Sequence, residues 1–199
     1  ATGFGGRIGY LGHFGCAVRL AAAYQTRTYM SEFEEYAGLF AESGGFDIPS
    51  SFSGGIAITP NDRLVAALDF SYIKYSEINS IANPLLPNLG EAPLGVVKVG
   101  LAYDVSETLT LRGDFNYGGQ PIPASETLFN MIAPGVVETH VTFGGTWMLN
   151  EQMELSFAYM HAFENTVEGE DSIPMGMAGG EADLTMSQDS FGLGFGMLF

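Results

Sequence analysis

The sequence predicts an all-β fold, an antiparallel transmembrane β-barrel, on three observations. In the last stretch, Gln188 to Phe199, Phe191, Leu193, Phe195, Met197 and Phe199 share one parity, and Ser190, Gly192, Gly194 and Gly196 hold the other. A strand with that pattern has one large apolar face and one face with almost no side chain. A soluble protein would leave neither that face nor the strand's backbone edge open, whereas a closed barrel gives the aromatics to lipid and the backbone to neighbouring strands. Short turns near Pro60, Asp104 and Asn150 alternate with long connections near Glu35, Asn83, Pro123 and Asp171, as in barrels with short periplasmic turns and longer external loops. About nine segments set a large apolar face against polar or tiny residues, a pattern that a β-sandwich would reverse by turning its large faces inward.

Composition supports the same class. Gly at 27, Phe at 15 and Tyr at 9 are high, and Lys plus Arg at 7 is low. No apolar run approaches the roughly 17 to 25 residues of a membrane-spanning helix, but a barrel strand needs only about 9 to 11 and can be polar at every second position. The formal charge of −16 excludes general binding to nucleic acid, because no basic stripe is present to neutralise phosphates. Cys16 is solitary and forms no intrachain disulfide; with His13 it falls short of the about four ligands of structural zinc, and it is expected to be a small apolar residue facing the barrel. No metal and no cofactor is expected. The start carries no basic, apolar and small-residue leader pattern, so the chain reads as processed or as the later part of a longer polypeptide.

In order, Phe4, Gly6, Ile8 and Tyr10 oppose Gly5, Arg7, Gly9 and Leu11, a short strand that His13-Phe14-Gly15 turns back. Val18 to Thr28 follows, with Arg19 and Arg27 on the face expected to meet water in the lumen, since two arginines in a dry core would need two well-placed anionic partners. Ser31 to Ser50 breaks the pattern and reads as a long external loop, with a helical turn or two from Glu34 to Phe40; its carboxylates read as a solvated acidic surface, with a calcium or lipopolysaccharide-ion site as the alternative. Phe52 to Thr59 and Leu64 to Ile73 flank the compact turn Pro60-Asn61-Asp62-Arg63, with Asp69 toward water. Three prolines between Ser76 and Pro93 exclude a strand there. Gly95 to Tyr103 and Leu109 to Tyr117 come next, the latter with Thr110, Arg112, Asp114 and Asn116 on a polar face. After Gly118, Ser125 is placed to cap a short helix ending before Pro134. Val136 to Met148 and Glu154 to Phe163 are the next strands, and Asn165 to Ser187 is an acidic, glycine-rich interruption before the terminal one.

Catalytic chemistry finds little support. His13, His140 and His161 are far apart, no Gly-x-Ser-x-Gly elbow is present, and the glycine clusters lack the strand-to-helix setting and Lys-Ser/Thr pair of a phosphate loop. The protein is therefore expected not to be an enzyme. An adhesin, a receptor or a structural barrel without transport fits the periodicity as well.

Several stretches in order resemble the FadL/TodX family of outer-membrane transporters for long-chain fatty acids and other hydrophobic molecules. They are Tyr36-Ala37-Gly38-Leu39-Phe40, Phe46-Asp47-Ile48-Pro49, Gly119-Gln120-Pro121-Ile122-Pro123-Ala124, Ala133-Pro134-Gly135-Val136-Val137-Glu138, Leu155-Ser156-Phe157-Ala158-Tyr159-Met160-His161 and the terminal Phe199. The resemblance implies a 14-stranded barrel plugged by an N-terminal hatch, of which residues 1–199 would be a partial barrel domain lacking the hatch and about five earlier strands. It implies a multi-pass barrel in the outer membrane of a Gram-negative bacterium, surrounded by outer-membrane lipid and lipopolysaccharide, and monomeric when complete. It also implies passive uptake of a long-chain fatty acid or another hydrophobic small molecule through an external groove, an internal pocket and a sideways exit. Leu39, Phe40, Leu128, Phe129 and Ile132 are the candidate groove residues, and Arg19, Arg27 and Arg112 the candidate luminal contacts for a carboxylate.

Overall fold

The computed structural model describes residues 1–36, 44–78, 94–131, 134–177 and 179–197. Its strands are β1 (Gly3–Phe4), β2 (Arg7–Phe14), β3 (Val18–Gln25), β4 (Tyr29–Met30), β5 (Ser51–Asn61), β6 (Leu64–Ile73), β7 (Leu94–Asp104), β8 (Leu109–Gly118), β9 (Thr139–Asn150), β10 (Met153–Val167) and β11 (Leu184–Met197). Nine of them form one sheet in the order β11-β10-β9-β8-β7-β6-β5-β3-β2, and β1 and β4 make a separate two-stranded ribbon. All pairings are antiparallel, and strands that neighbour in the sheet follow one another in sequence. Within the described residues β2 and β11 are edges, so the sheet is open and its closure into a barrel is not part of this structure.

The register sorts the side chains into two faces. On one, Tyr24, Phe52 and Tyr72 lie opposite one another across β3, β5 and β6, Leu68 and Val99 pair across β6 and β7, and Phe157 faces Leu193. Tyr24, Phe52 and Tyr117 on strand ends near the long loops, and Phe14, Tyr103 and Trp147 near the short turns, are all exposed, and between them runs an apolar band that includes Phe70, Phe115 and Phe143. The opposite face carries Arg19, Ala21, Ser53, Gly55, Asp69, Lys98, Arg112, Asp114, Thr142, Ser156 and Gly194, with Leu11, Val65, Val96 and Met160 as larger apolar members. Phe191, Leu193, Phe195 and Met197 fall on the apolar face and Ser190, Gly192, Gly194 and Gly196 on the other, as the alternation predicts; Phe199 lies outside the described residues.

The short connections are made by local hydrogen bonds. Asn61 Oδ1 accepts the Arg63 amide at 3.0 Å, Asn150 Oδ1 accepts the Gln152 amide at 2.9 Å, and Ser106 Oγ accepts the amides of Thr108 and Leu109 at 3.2 and 3.1 Å. Each side chain stands in for a backbone acceptor where the chain reverses.

Several expected boundaries move. β2 continues through Phe14, and the reversal falls on Gly15, Cys16 and Ala17, where Gly15 has a φ of +64° that a side chain would oppose. Cys16 is consequently exposed in that turn and not on a barrel face. β3 stops at Gln25, short of Arg27. Glu34–Tyr36 forms a single 3-10 turn, and the remainder of the helix expected to Phe40 lies outside the described residues. Ser125 caps nothing: it sits inside the 3-10 turn Ala124–Glu126, and the one-turn helix Thr127–Asn130 follows without a side-chain cap. β9 starts at Thr139, and Val136 before it is fully buried against Ile122, Val167 and Leu184.

The last two strands are longer than expected, so the connection between them shrinks to 168–183. An irregularity between Ala162 and Asn165 inserts one extra residue into β10 against β11. That bulge flips the parity of everything beyond it. Val167 thereby joins Leu184, Ile122, Val136 and Met186 in a buried apolar cluster at the long-loop end. Asn165, rotated with it, donates to the Val136 carbonyl at 2.8 Å.

Candidate functional site

The non-apolar face would be the inner wall of a closed barrel. Of the seven Lys and Arg residues, Arg7, Arg19, Lys98 and Arg112 stand on it. One row of the register runs Gly55, Asp69, Lys98, Asn116, His140 across five successive strands, placing an acid, a base, an amide and an imidazole side by side. Asn116 Oδ1 and His140 Nδ1 in that row are buried without a hydrogen-bond partner among the described residues, an arrangement that calls for water or a ligand group.

Small residues deepen the wall beside this row. A cavity of about 500 Å³ is lined by Gly9, Ala21, Ala23, Ser53 and Gly55, with Arg7, Asp69 and Lys98 around it. A second, of about 360 Å³, shares Leu11, Ala21, Gly55 and Asp69 with the first and adds His13 and Arg19. Gly55 creates the room, since a Cβ there would overlap the Asp69 carboxylate. Farther along, Arg112 donates to Thr146 Oγ1 at 2.8 Å, Thr146 lies 3.0 Å from Ser156 Oγ, and Thr110 donates to Asp104 at 2.6 Å.

At the long-loop end the connections fold onto one another in two groups. In the first, Arg27 Nε donates to Asp47 at 2.7 Å and its Nη1 to the Glu77 carbonyl at 2.8 Å, while Asp47 also accepts the Met30 amide at 2.7 Å. The Arg27 guanidinium lies 5.2 Å from the Tyr29 ring centre. Ser50 beside it and Lys74 at 3.2 Å hold the Glu77 carboxyl below its usual range, against the opposing pull of partial burial. A cavity of about 670 Å³ opens here between Phe4, Tyr24, Tyr29, Arg27, Ser50 and Glu77. In the second group, Thr127 Oγ1 donates to the Ala182 carbonyl, Glu170 N to the Ala124 carbonyl at 3.0 Å, and Gln120 N to Glu138 at 3.0 Å.

The sequence-derived candidates distribute unevenly over this geometry. Arg19 and Arg112 are on the non-apolar face, but on β3 and β8, four strands apart in the sheet order. Arg27 is beyond the end of β3 and occupied by Asp47, so it belongs to the loop cluster and not to the wall. Leu128 is half-buried in the helix Thr127–Asn130, which also contains Phe129. Leu39, Phe40 and Ile132 lie outside the described residues. Arg7, Lys98 and His140 were not singled out from the sequence, although their parity with Leu11, Gly100 and Thr142 would have put them on the wall. Among the described residues no three His, Cys, Asp or Glu gather as a metal site.

No protein-family model and no curated protein matches the sequence. Solved structures do match the fold. The toluene transporter TodX of Pseudomonas putida aligns with a TM-score of 0.65 at 19% identity over 99% of this chain and 49% of its own. A FadL homologue of Pseudomonas aeruginosa gives 0.69 at 16% identity over 97% and 52%, and the toluene transporter TbuX of Ralstonia pickettii 0.57 at 16% over 99% and 48%. The chain thus spans about half the length of the solved structures it matches, and its fold is the one the FadL/TodX transporters share over that span.

Proposed function

We propose that this chain, folded like part of the FadL/TodX outer-membrane transporters, forms part of the wall of an outer-membrane barrel through which hydrophobic small molecules pass passively. The observation that supports the reading most is the two-sidedness of all nine strands: an apolar outer face with exposed aromatics, and an inner face of small and polar residues with cavities. An apolar permeant gains about 25 cal/mol per Å² removed from water on the apolar patches, and needs few polar contacts to be held weakly enough to leave. Substrate candidates are long-chain fatty acids and monoaromatic hydrocarbons. The second group follows from the toluene transporters that share the fold. Arg19 and Arg112 are proposed as contacts for a carboxylate where the permeant is an acid; Leu128, Phe129, Leu39, Phe40 and Ile132 remain the proposed groove.

Uptake of radiolabelled oleate and toluene by cells carrying the protein, at matched membrane abundance, tests the reading. Accumulation above empty-vector cells is expected, reduced by Leu128→Asp. Uptake equal to the empty vector for both compounds would leave a barrel without transport, a receptor or structural protein, as the better reading.

A further inference from the structure

The outward face is apolar through the middle of every strand, and polar side chains gather toward its long-loop edge. Asp189 is the only acidic residue that the pairing register puts on this face among the described residues. It stands opposite His161 across β10 and β11, accepts the Tyr159 hydroxyl at 2.7 Å, and lies 2.9 Å from His161 Nδ1. Both contacts fall on Oδ1, leaving Oδ2 for another partner, and the Asp189 side chain is 56% exposed. The Tyr159 ring is 4.8 Å from Phe191, and His161 meets Phe163 edge-on at 4.7 Å. Toward the short turns the face continues through Phe157 and Leu193; toward the loops it turns polar at Thr166 and Thr185, whose hydroxyls are 2.8 Å apart. The cluster therefore marks the line at which an apolar band meets a polar surface.

We propose that Asp189, His161 and Tyr159 form a site for the primary ammonium group of an amphiphile at the membrane boundary, with its tail along Phe191 and Leu193. The inference rests on the outer-membrane placement proposed above, but not on transport. Charge decides the class. The cluster contains a carboxylate and no Lys or Arg, and the chain carries a net −16, so phosphate, sulfate and carboxylate headgroups are repelled. Tyr159 and His161 hold Oδ1, so the site presents the second carboxylate oxygen as a charged acceptor. A primary ammonium supplies three N–H donors and a positive charge; a hydroxyl lacks the charge, and a quaternary ammonium lacks the donors.

The test follows the His161 imidazole signals by NMR, with the chain in uncharged detergent micelles titrated with dodecylammonium. A saturable shift is expected, absent with dodecyltrimethylammonium and with dodecanol. Asp189→Asn should weaken binding about fivefold, as for a partly exposed ion pair, and Asp62→Asn, exposed in the turn between β5 and β6, should leave it unchanged. Equal shifts with the trimethyl compound, or unaltered affinity in Asp189→Asn, would overturn the proposal, and the first comparison needs no variant to fold. Bilayer discs separate the sources. A shift in ethanolamine discs relative to choline discs identifies a lipid headgroup, a response to dodecylammonium alone identifies a free amphiphile, and neither response refutes the site. Failure of the uptake assay would not change these results.

Discussion

Gly144 and Gly194 both belong to the small-residue face, yet their surroundings differ. A Cβ on Gly144 would stand 2.7 Å from the Phe157 carbonyl, part of the backbone of β10, whereas one on Gly194 would make ordinary contact with Ser156 at 3.7 Å. Gly144→Ala is expected to cost about 1–3 kcal/mol through overpacking, and Gly194→Ala to leave stability nearly unchanged, as urea titration of the folded protein would measure. A second comparison addresses the outward face. Leu193→Arg should destabilise insertion by about 2–4 kcal/mol, as a lipid-facing cation near mid-depth does, while Ser190→Arg on the inner side should cost far less; equal costs in folding titrations into liposomes would reject the register. Alternation in the sequence was sufficient to assign these faces. It could not separate the two glycines, because that difference comes from how closely β9 and β10 approach.

At the scale of elements, the bulge in β10 governs the loop cap. Val167→Asp should undo the contact that the bulge sets up with Ile122, Val136 and Leu184. Faster proteolysis within 119–138 and 168–183, with the hairpin β7–β8 unchanged, is the expected readout. The other loop group depends on charge. Asp47→Ala breaks the bond to Arg27 and the one to the Met30 amide, and should cost about 1.5–3 kcal/mol as a charged hydrogen-bond acceptor is lost. Glu77 has a lowered folded pKa, so its contribution is complete above the ordinary value of 4.5 and is lost as pH falls below it. Amide exchange at Ser50, whose N–H meets Glu77, should accordingly quicken in that acid window and not in Glu77→Gln. Neither device was legible in the sequence. One inserted residue barely disturbs a period of two, and Arg27 meets partners 20 and 50 residues away.

For the whole molecule, nitroxide labels at Arg19, Asp69, Arg112 and Asp114 should be quenched by a water-soluble reagent more than labels at Leu20, Phe70 and Leu111. The reverse ranking would invert inner and outer faces. Nine strands, their sidedness and their hairpin order were readable because a sheet written as neighbours in sequence needs only local periodicity and turn residues. The inner cavities and the row from Asp69 to His140 were not, because they depend on register between strands, which no single segment specifies. Arg27 illustrates the limit: continuing the alternation past Gln25 put it on the wall, and the chain instead turned there to meet Asp47.

The strictly sequential strand order also bears on how the sheet is made. Each hairpin with a short turn, β2–β3, β5–β6, β7–β8 and β9–β10, can zip from its own reversal with little loop-closure entropy, and only the joins across the long connections require distant segments to meet. Assembly should therefore proceed as hairpins formed early and joined late. Pulse-labelled amide exchange during folding is expected to protect β9 against β10 before β8 against β9, so the long connections that carry the two loop groups also set the pace at which the sheet is completed.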